Sequence, residues 1–200
     1  MATILLLCTG NICRSPIAEG LLKRQLEDGG VKGVTVHSAG VSGLDGYPAD
    51  PEAVRTSAEQ GVDISSHRAR RVTAKMIESA DLILTMTADQ RKKATRLARA
   101  ASDRTFTLKE IVFLLDRRPG ARNGDFDERL RQAVKDAHNV RESEPGLELL
   151  DEDVSDPLGL GPDAFRAVVW EVGQLVERFV DGTFLAEERE SVADHRGREK

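Results

Sequence analysis

An α/β fold, with a central four-stranded parallel sheet and helices on both faces, is predicted by three observations. Short apolar runs alternate with helical patterns along the chain. The first run, "TILLL", is continuous rather than alternating, as suits a strand covered on both sides. The breaks between runs fall at Gly, Pro and Asp, where turns are expected.

In chain order, the first strand ends at Cys8, and a loop leads into a helix with Pro16 in its first turn, where the missing N–H costs nothing. Ile17, Ala18, Leu21 and Leu22 share one face of that helix, and Gly29 ends it. Val34 to Gly40 reads as the second strand, "VSGLDGYPADP" as a loop, and about Pro51 to Gln60 as a helix closed by Gly61. Thr73 is expected to cap a short helix running to Ser79. "DLILTM" is the third strand, Ala88 to Ala100 a charged helix, "RTFTL" the fourth strand and Lys109 to Leu115 a short helix. Residues 116–153 are highly charged and read as a partly mobile excursion, helical only from Leu130 to Ala137. Asp163 is expected to cap a last helix, Ala164 to Phe179. One domain over 1–182 and a disordered tail over 183–200 complete the expectation.

Bulk properties narrow the function classes. The balance of 29 basic against 34 acidic residues disfavours a nucleic-acid partner. Two cysteines make no disulfide framework, which points to a reducing, cytoplasmic setting. No segment reads as a membrane span, and the scattered histidines give no metal-ligand spacing. A nucleotide-binding P-loop is disfavoured because no Gly-Lys-[Ser/Thr] follows the loop.

The stretch "CTGNICRSP" carries the chemistry. Cys8 stands at the carboxyl end of the first strand, where parallel sheets bind ligands. If Thr9, Gly10, Asn11, Ile12 and Cys13 wrap around one point, their N–H groups converge and the helix N-terminus adds its positive end. Gly10 would allow close approach of backbone, and Asn11 tolerates positive φ. Arg14 supplies a fork for two oxygens of a bound oxyanion. The same field favours the thiolate of Cys8, and Ser15 can hydrogen-bond its sulfur. Asp156, stiffened by Pro157, is the candidate general acid and base.

Together these residues resemble the low-molecular-weight protein tyrosine phosphatases. The resemblance extends through "HSAGVSG", "DPEAV", "GVDISSHRARR", "ADLILTMT" and "SDP". It implies a phosphocysteine intermediate, no metal or other cofactor, and a phosphorylated protein or peptide as substrate, with no nucleic-acid or membrane partner and a monomer or weak dimer. By position it implies Cys8 as nucleophile, Arg14 as phosphate clamp, Ser15 as thiolate partner and Asp156 as general acid. Asn11, Ser38 and His67 match a hydrogen-bonded set that supports the loop. Cys13 matches a second cysteine, either a disulfide partner for Cys8 or a packed thiol. Leu44 and Leu158 stand where many members carry rim aromatics, with Tyr47 as a candidate substitute. The sequence is also similar to a bacterial branch acting on phosphoarginine, but that branch tends to carry Thr where Ile12 stands. Arsenate reduction on the same fold is a further alternative, weakened because no cysteine follows Cys13. A non-catalytic phosphate-binding module is weakened by the intact Cys, Arg and Asp trio.

Overall fold

The computed structural model describes residues 1–117, 123–144 and 151–185. Four strands, β1 (Ala2–Cys8), β2 (Val34–Gly40), β3 (Leu82–Thr85) and β4 (Thr105–Thr107), form one parallel sheet in the order β2-β1-β3-β4. β1 is central because its side chains are apolar on both faces. Ile4, Leu6 and Cys8 enter one core with Leu82, Leu84 and Phe106, whereas Leu5 and Leu7 enter a second with Ala39, Ile83 and Ala94.

The larger core is closed by α1 (Arg14–Asp28), α2 (Pro51–Glu59), α5 (Leu108–Arg117), α6 (Phe126–Ser143) and α7 (Pro162–Val180). The smaller is closed by α3 (Ala74–Ser79) and α4 (Ala88–Leu97). Thr73 caps α3 and Thr87 caps α4, each accepting an N–H three residues on. Among the described residues, no helix is long and apolar enough to cross a membrane.

Several elements differ from expectation. The helix expected over Ala88 to Ala100 stops at Leu97, and a 3-10 turn, Arg99–Arg104, leads into β4. The helix expected within 116–153 is more than twice as long as predicted. Asp125 and Glu128 form a reciprocal capping box at its start. Leu130, Ala133, Ala137 and Val140 recur at helical spacing and are buried in the main core. The segment is thus a core-forming element and not an excursion, while residues 118–122 and 145–150 lie outside the described residues. Asp163 does not cap α7. Gly161, at φ 79°, occupies that position, Pro162 starts the helix, and Asp163 pairs with Arg166 at 2.8 Å. Thr183 and Phe184, placed in the expected tail, are buried in a π-helical turn, Asp181–Leu185. The rest of that expected tail, 186–200, lies outside the described residues.

Candidate active site

The loop between β1 and α1 is held with its carbonyls turned outward. The Cys8 carbonyl accepts from Val41 N at 2.9 Å, Thr9 from Ser42 N at 2.9 Å, and Gly10 from Leu44 N at 3.1 Å. Asn11 O accepts from His67 Nε2 at 2.8 Å, and Ile12 O from Asp50 N at 2.8 Å. With the acceptors engaged outside, the donors face the centre. Among the described residues, the N–H groups of Gly10, Ile12, Cys13 and Arg14 donate to no protein acceptor. Asn11 N donates to Cys8 Sγ at 3.2 Å. Such a concavity of amides at a helix N-terminus favours an anion.

Asn11 is the brace of this loop. Its φ of 60° makes it the only non-glycine residue with positive φ among those described. Its Nδ2 donates to Ser15 Oγ at 3.0 Å and Ser38 Oγ at 2.9 Å, while its Oδ1 accepts Arg70 N at 2.9 Å. The residue is fully buried, so those partners have no water to fall back on. Replacing Asn11 by alanine should therefore destabilise the fold by about 2–4 kcal/mol, through orphaned partners and left-handed strain together. Glycine at the same position loses the bonds but not the backbone freedom, so it should cost about 1 kcal/mol less. Urea unfolding of both variants checks this; equal losses would show that the left-handed backbone carries no strain.

The tightest approach of protein backbone to this loop is made at Gly40. A Cβ on Gly10 would make ordinary contacts, 3.5 Å from Ile12 and 3.7 Å from Leu44. A Cβ on Gly40, where β2 ends, would sit 2.6 Å from the Thr9 carbonyl. Gly40 thus lets the second strand press against the loop.

Ser15 Oγ donates to Cys8 Sγ at 3.0 Å, so the sulfur receives two hydrogen bonds. Both suit a thiolate. The Arg14 side chain is buried, donating from Nη1 to Val154 O at 3.1 Å and from Nη2 to Asp156 Oδ2 at 2.5 Å. Asp156 is itself half exposed, and its Oδ1 accepts Leu158 N at 3.2 Å. The irregular segment preceding it is docked at the end of β3: Val154 N donates to Met86 O at 2.8 Å, and Asp153 takes the first N–H of α4 at 2.8 Å. The acid is thereby brought across 142 residues of chain to the thiol loop.

The resulting crevice, of about 210 Å³, is lined by Cys8, Thr9, Gly10, Ile12, Cys13, Arg14, Ser42, Leu44, Asp156 and Leu158. Leu44 and Leu158 both line it. Tyr47 does not line the crevice and is 61% exposed, because its backbone is tied to Ala69 and Leu44 on the outer side of the loop. Both cysteines are free. Burial, then the negative charge of Asp50 and Cys8, pushes the Cys13 thiol up to about 12. Cys13 is packed in the main core beside the loop.

Some contributors carry no sequence signal. Gln90, at the start of α4, donates to Thr9 Oγ1 at 3.1 Å while its own oxygen accepts Met86 N at 3.0 Å. Arg70 holds both Asn11, through its N–H, and the Ser38 carbonyl, through Nε at 2.8 Å. Val154 acts through a carbonyl that no residue type advertises. A larger cavity, of about 430 Å³, opens at the amino ends of the strands, but its Asp81 and Arg104 are engaged by backbone groups and it contains no cysteine.

Residues 3–119 match the family described as low molecular weight phosphotyrosine protein phosphatase. This chain belongs to that family. The phosphatase is 46% identical over 109 residues to a probable low molecular weight protein-tyrosine-phosphatase, EpsP, of Ralstonia nicotianae, covering 54% of this chain and 72% of that protein. It is 39% identical over 109 residues to the protein-arginine-phosphatase of Bacillus subtilis, covering 54% and 71%. Its fold is similar to the crystal structure of a low molecular weight protein tyrosine phosphatase from T. tengcongensis, with a TM-score of 0.69, 28% identity and coverage of 90% of this chain and 99% of that one.

Proposed function

We propose that the enzyme hydrolyses phosphotyrosine-type monoesters of proteins through a phosphocysteine intermediate. The observation that carries this reading is the Cys8 sulfur, hydrogen-bonded by Asn11 N and Ser15 Oγ in a crevice that Arg14 and Asp156 also line. In the first step Cys8 Sγ attacks phosphorus in line with the ester oxygen. The inward amides and the Arg14 fork hold the three equatorial oxygens as charge spreads over them. The P–O bond breaks, and the leaving oxygen takes the proton of Asp156. In the second step the Asp156 carboxylate takes a proton from water, the water oxygen attacks phosphorus, and the S–P bond breaks. The two donors on the sulfur stabilise the thiolate as it leaves.

The phosphoarginine reading is favoured by the similarity to the Bacillus subtilis enzyme. Ile12 opposes it, since this side chain lines the crevice and offers no acceptor to a guanidinium. Steady-state kcat/KM on phosphotyrosine, phosphoarginine and phosphoserine peptides of one sequence separates these readings. The expected order places phosphotyrosine first by at least tenfold. A higher value for phosphoarginine would transfer the enzyme to that substrate class, and a higher value for phosphoserine would dismiss both.

A further inference from the structure

Beside the crevice runs a basic ribbon, residues 68–71, whose charges the catalytic chemistry does not use. It is fixed to the rim loop by Gly46 N to Ala69 O at 2.8 Å, Ala69 N to Tyr47 O at 2.8 Å and a bridge between Pro48 and Arg68. Arg70 N reaches Asn11 Oδ1 at 2.9 Å, so the ribbon stands one side chain away from the thiol loop. Ala69 points inward, while Arg68, Arg70 and Arg71 are exposed.

The pairing of arginines elsewhere makes this ribbon unusual. Among the described residues, Arg14, Arg24, Arg55, Arg91, Arg104, Arg117, Arg131, Arg141, Arg166 and Arg178 all lie within ion-pair distance of a carboxylate. None of the three ribbon arginines does, in a chain with excess acid. Arg96 and Arg99 also lack an ion pair among the described residues, but they lie at and just beyond the carboxyl end of α4. Among the described residues, the Arg68 side chain is held by the Ser65 and His67 carbonyls, at 3.5 and 2.7 Å, and that of Arg70 by Ser38 O, which leaves N–H donors on each guanidinium. The nearby Asp45 carboxylate is taken by the backbone N–H of Arg71 at 2.6 Å.

We propose that this ribbon selects phosphoprotein segments carrying Asp or Glu beside the phosphorylated residue, an inference that rests on the phosphatase reading above. The ribbon is bonded to the loop whose Leu44 lines the crevice, so a peptide seated there extends its flank on that side toward the ribbon. Its flanking carboxylates then meet guanidinium forks suited to bidentate pairing. Basic flanks are repelled by the same charges, so discrimination has both an attractive and a repulsive part.

Three phosphotyrosine peptides of equal length, with acidic, amide or lysine flanks, test this against the full chain, with p-nitrophenyl phosphate as a substrate that cannot reach the ribbon. At low ionic strength the acidic peptide should exceed the amide one by roughly 5- to 20-fold in kcat/KM, and the lysine peptide should fall below both. The preference should collapse at about 1 M salt, where screening acts over ~3 Å. The Arg68→Gln/Arg71→Gln variant should lose the preference and keep its p-nitrophenyl phosphate rate. Wild type that hydrolyses p-nitrophenyl phosphate but treats acidic and amide peptides alike would overturn the ribbon's role and leave the phosphatase reading standing, as would a preference insensitive to salt. Wild type inert toward p-nitrophenyl phosphate would remove the phosphatase reading itself, and the ribbon's role with it.

Discussion

Replacing Cys8 by serine should lower turnover of p-nitrophenyl phosphate by about 10⁴-fold or more, the order seen when a covalent nucleophile is removed. The side chain changes by one atom, so packing is nearly preserved. The loss comes from activation. Both groups that touch Cys8 Sγ, Asn11 N and Ser15 Oγ, are donors. Donors favour an anion already present but take no proton from a hydroxyl. A serine here has no base at hand and stays neutral, hence a poor nucleophile. The inward amides and Arg14 are untouched, so inorganic phosphate should still bind the variant with an affinity within a fewfold of wild type. Steady-state assay together with phosphate titration by calorimetry checks both halves. Turnover within tenfold of wild type would place the nucleophile elsewhere, and loss of phosphate binding would show that the sulfur also organises the cradle.

What was legible in the sequence is what is local. "TILLLC", a loop with Gly and Asn, then Arg-Ser-Pro and a helix form one continuous stretch, so strand, cradle and helix follow from neighbours. The positive φ of Asn11 was also legible, because few residue types tolerate it. Less legible was anything fixed by backbone groups remote in sequence. Val154 O on Arg14 and Gln90 on Thr9 give no pattern, since a carbonyl belongs to every residue. The helix Phe126–Ser143 is hard to read in full because its buried face consists of Leu130, Ala133, Ala137 and Val140, single apolar residues among many charges. Its Asp125–Glu128 capping box was the signal that could have extended it. Asp163 illustrates the opposite error. An acid beside a helix start reads as a cap, yet Gly161 supplies the positive φ that the turn into Pro162 requires. The position of Tyr47 in the loop suggests the rim, whereas its carbonyl is tied to Ala69 N and its side chain does not line the crevice.

Replacing Asp156 by alanine should slow hydrolysis of esters with poor leaving groups by ~10²–10⁴-fold, and p-nitrophenyl phosphate much less. A poor leaving group departs only with a proton, while p-nitrophenolate departs without one, so the deficit should grow with leaving-group pKa. The alanine variant carries a second consequence, because Asp156 Oδ2 is also the partner of Arg14 Nη2 at 2.5 Å. Deleting it leaves a buried guanidinium with Val154 O, at 3.1 Å, as its remaining partner among the described residues, so a displaced clamp adds to the loss. Asp156→Asn separates these effects. Its amide oxygen can still accept from Arg14 or from Leu158 N, but no carboxyl proton is available for transfer. Equal rate losses in the two variants, both steepening with leaving-group pKa, are expected if proton transfer is the role. A much smaller loss in Asp156→Asn would make the residue a support for Arg14 and leave the acid to be found elsewhere. Stopped-flow measurement of phenol release across a series of substituted phenyl phosphates reads the first step alone. That restriction matters because the same carboxylate is assigned to the water attack that follows.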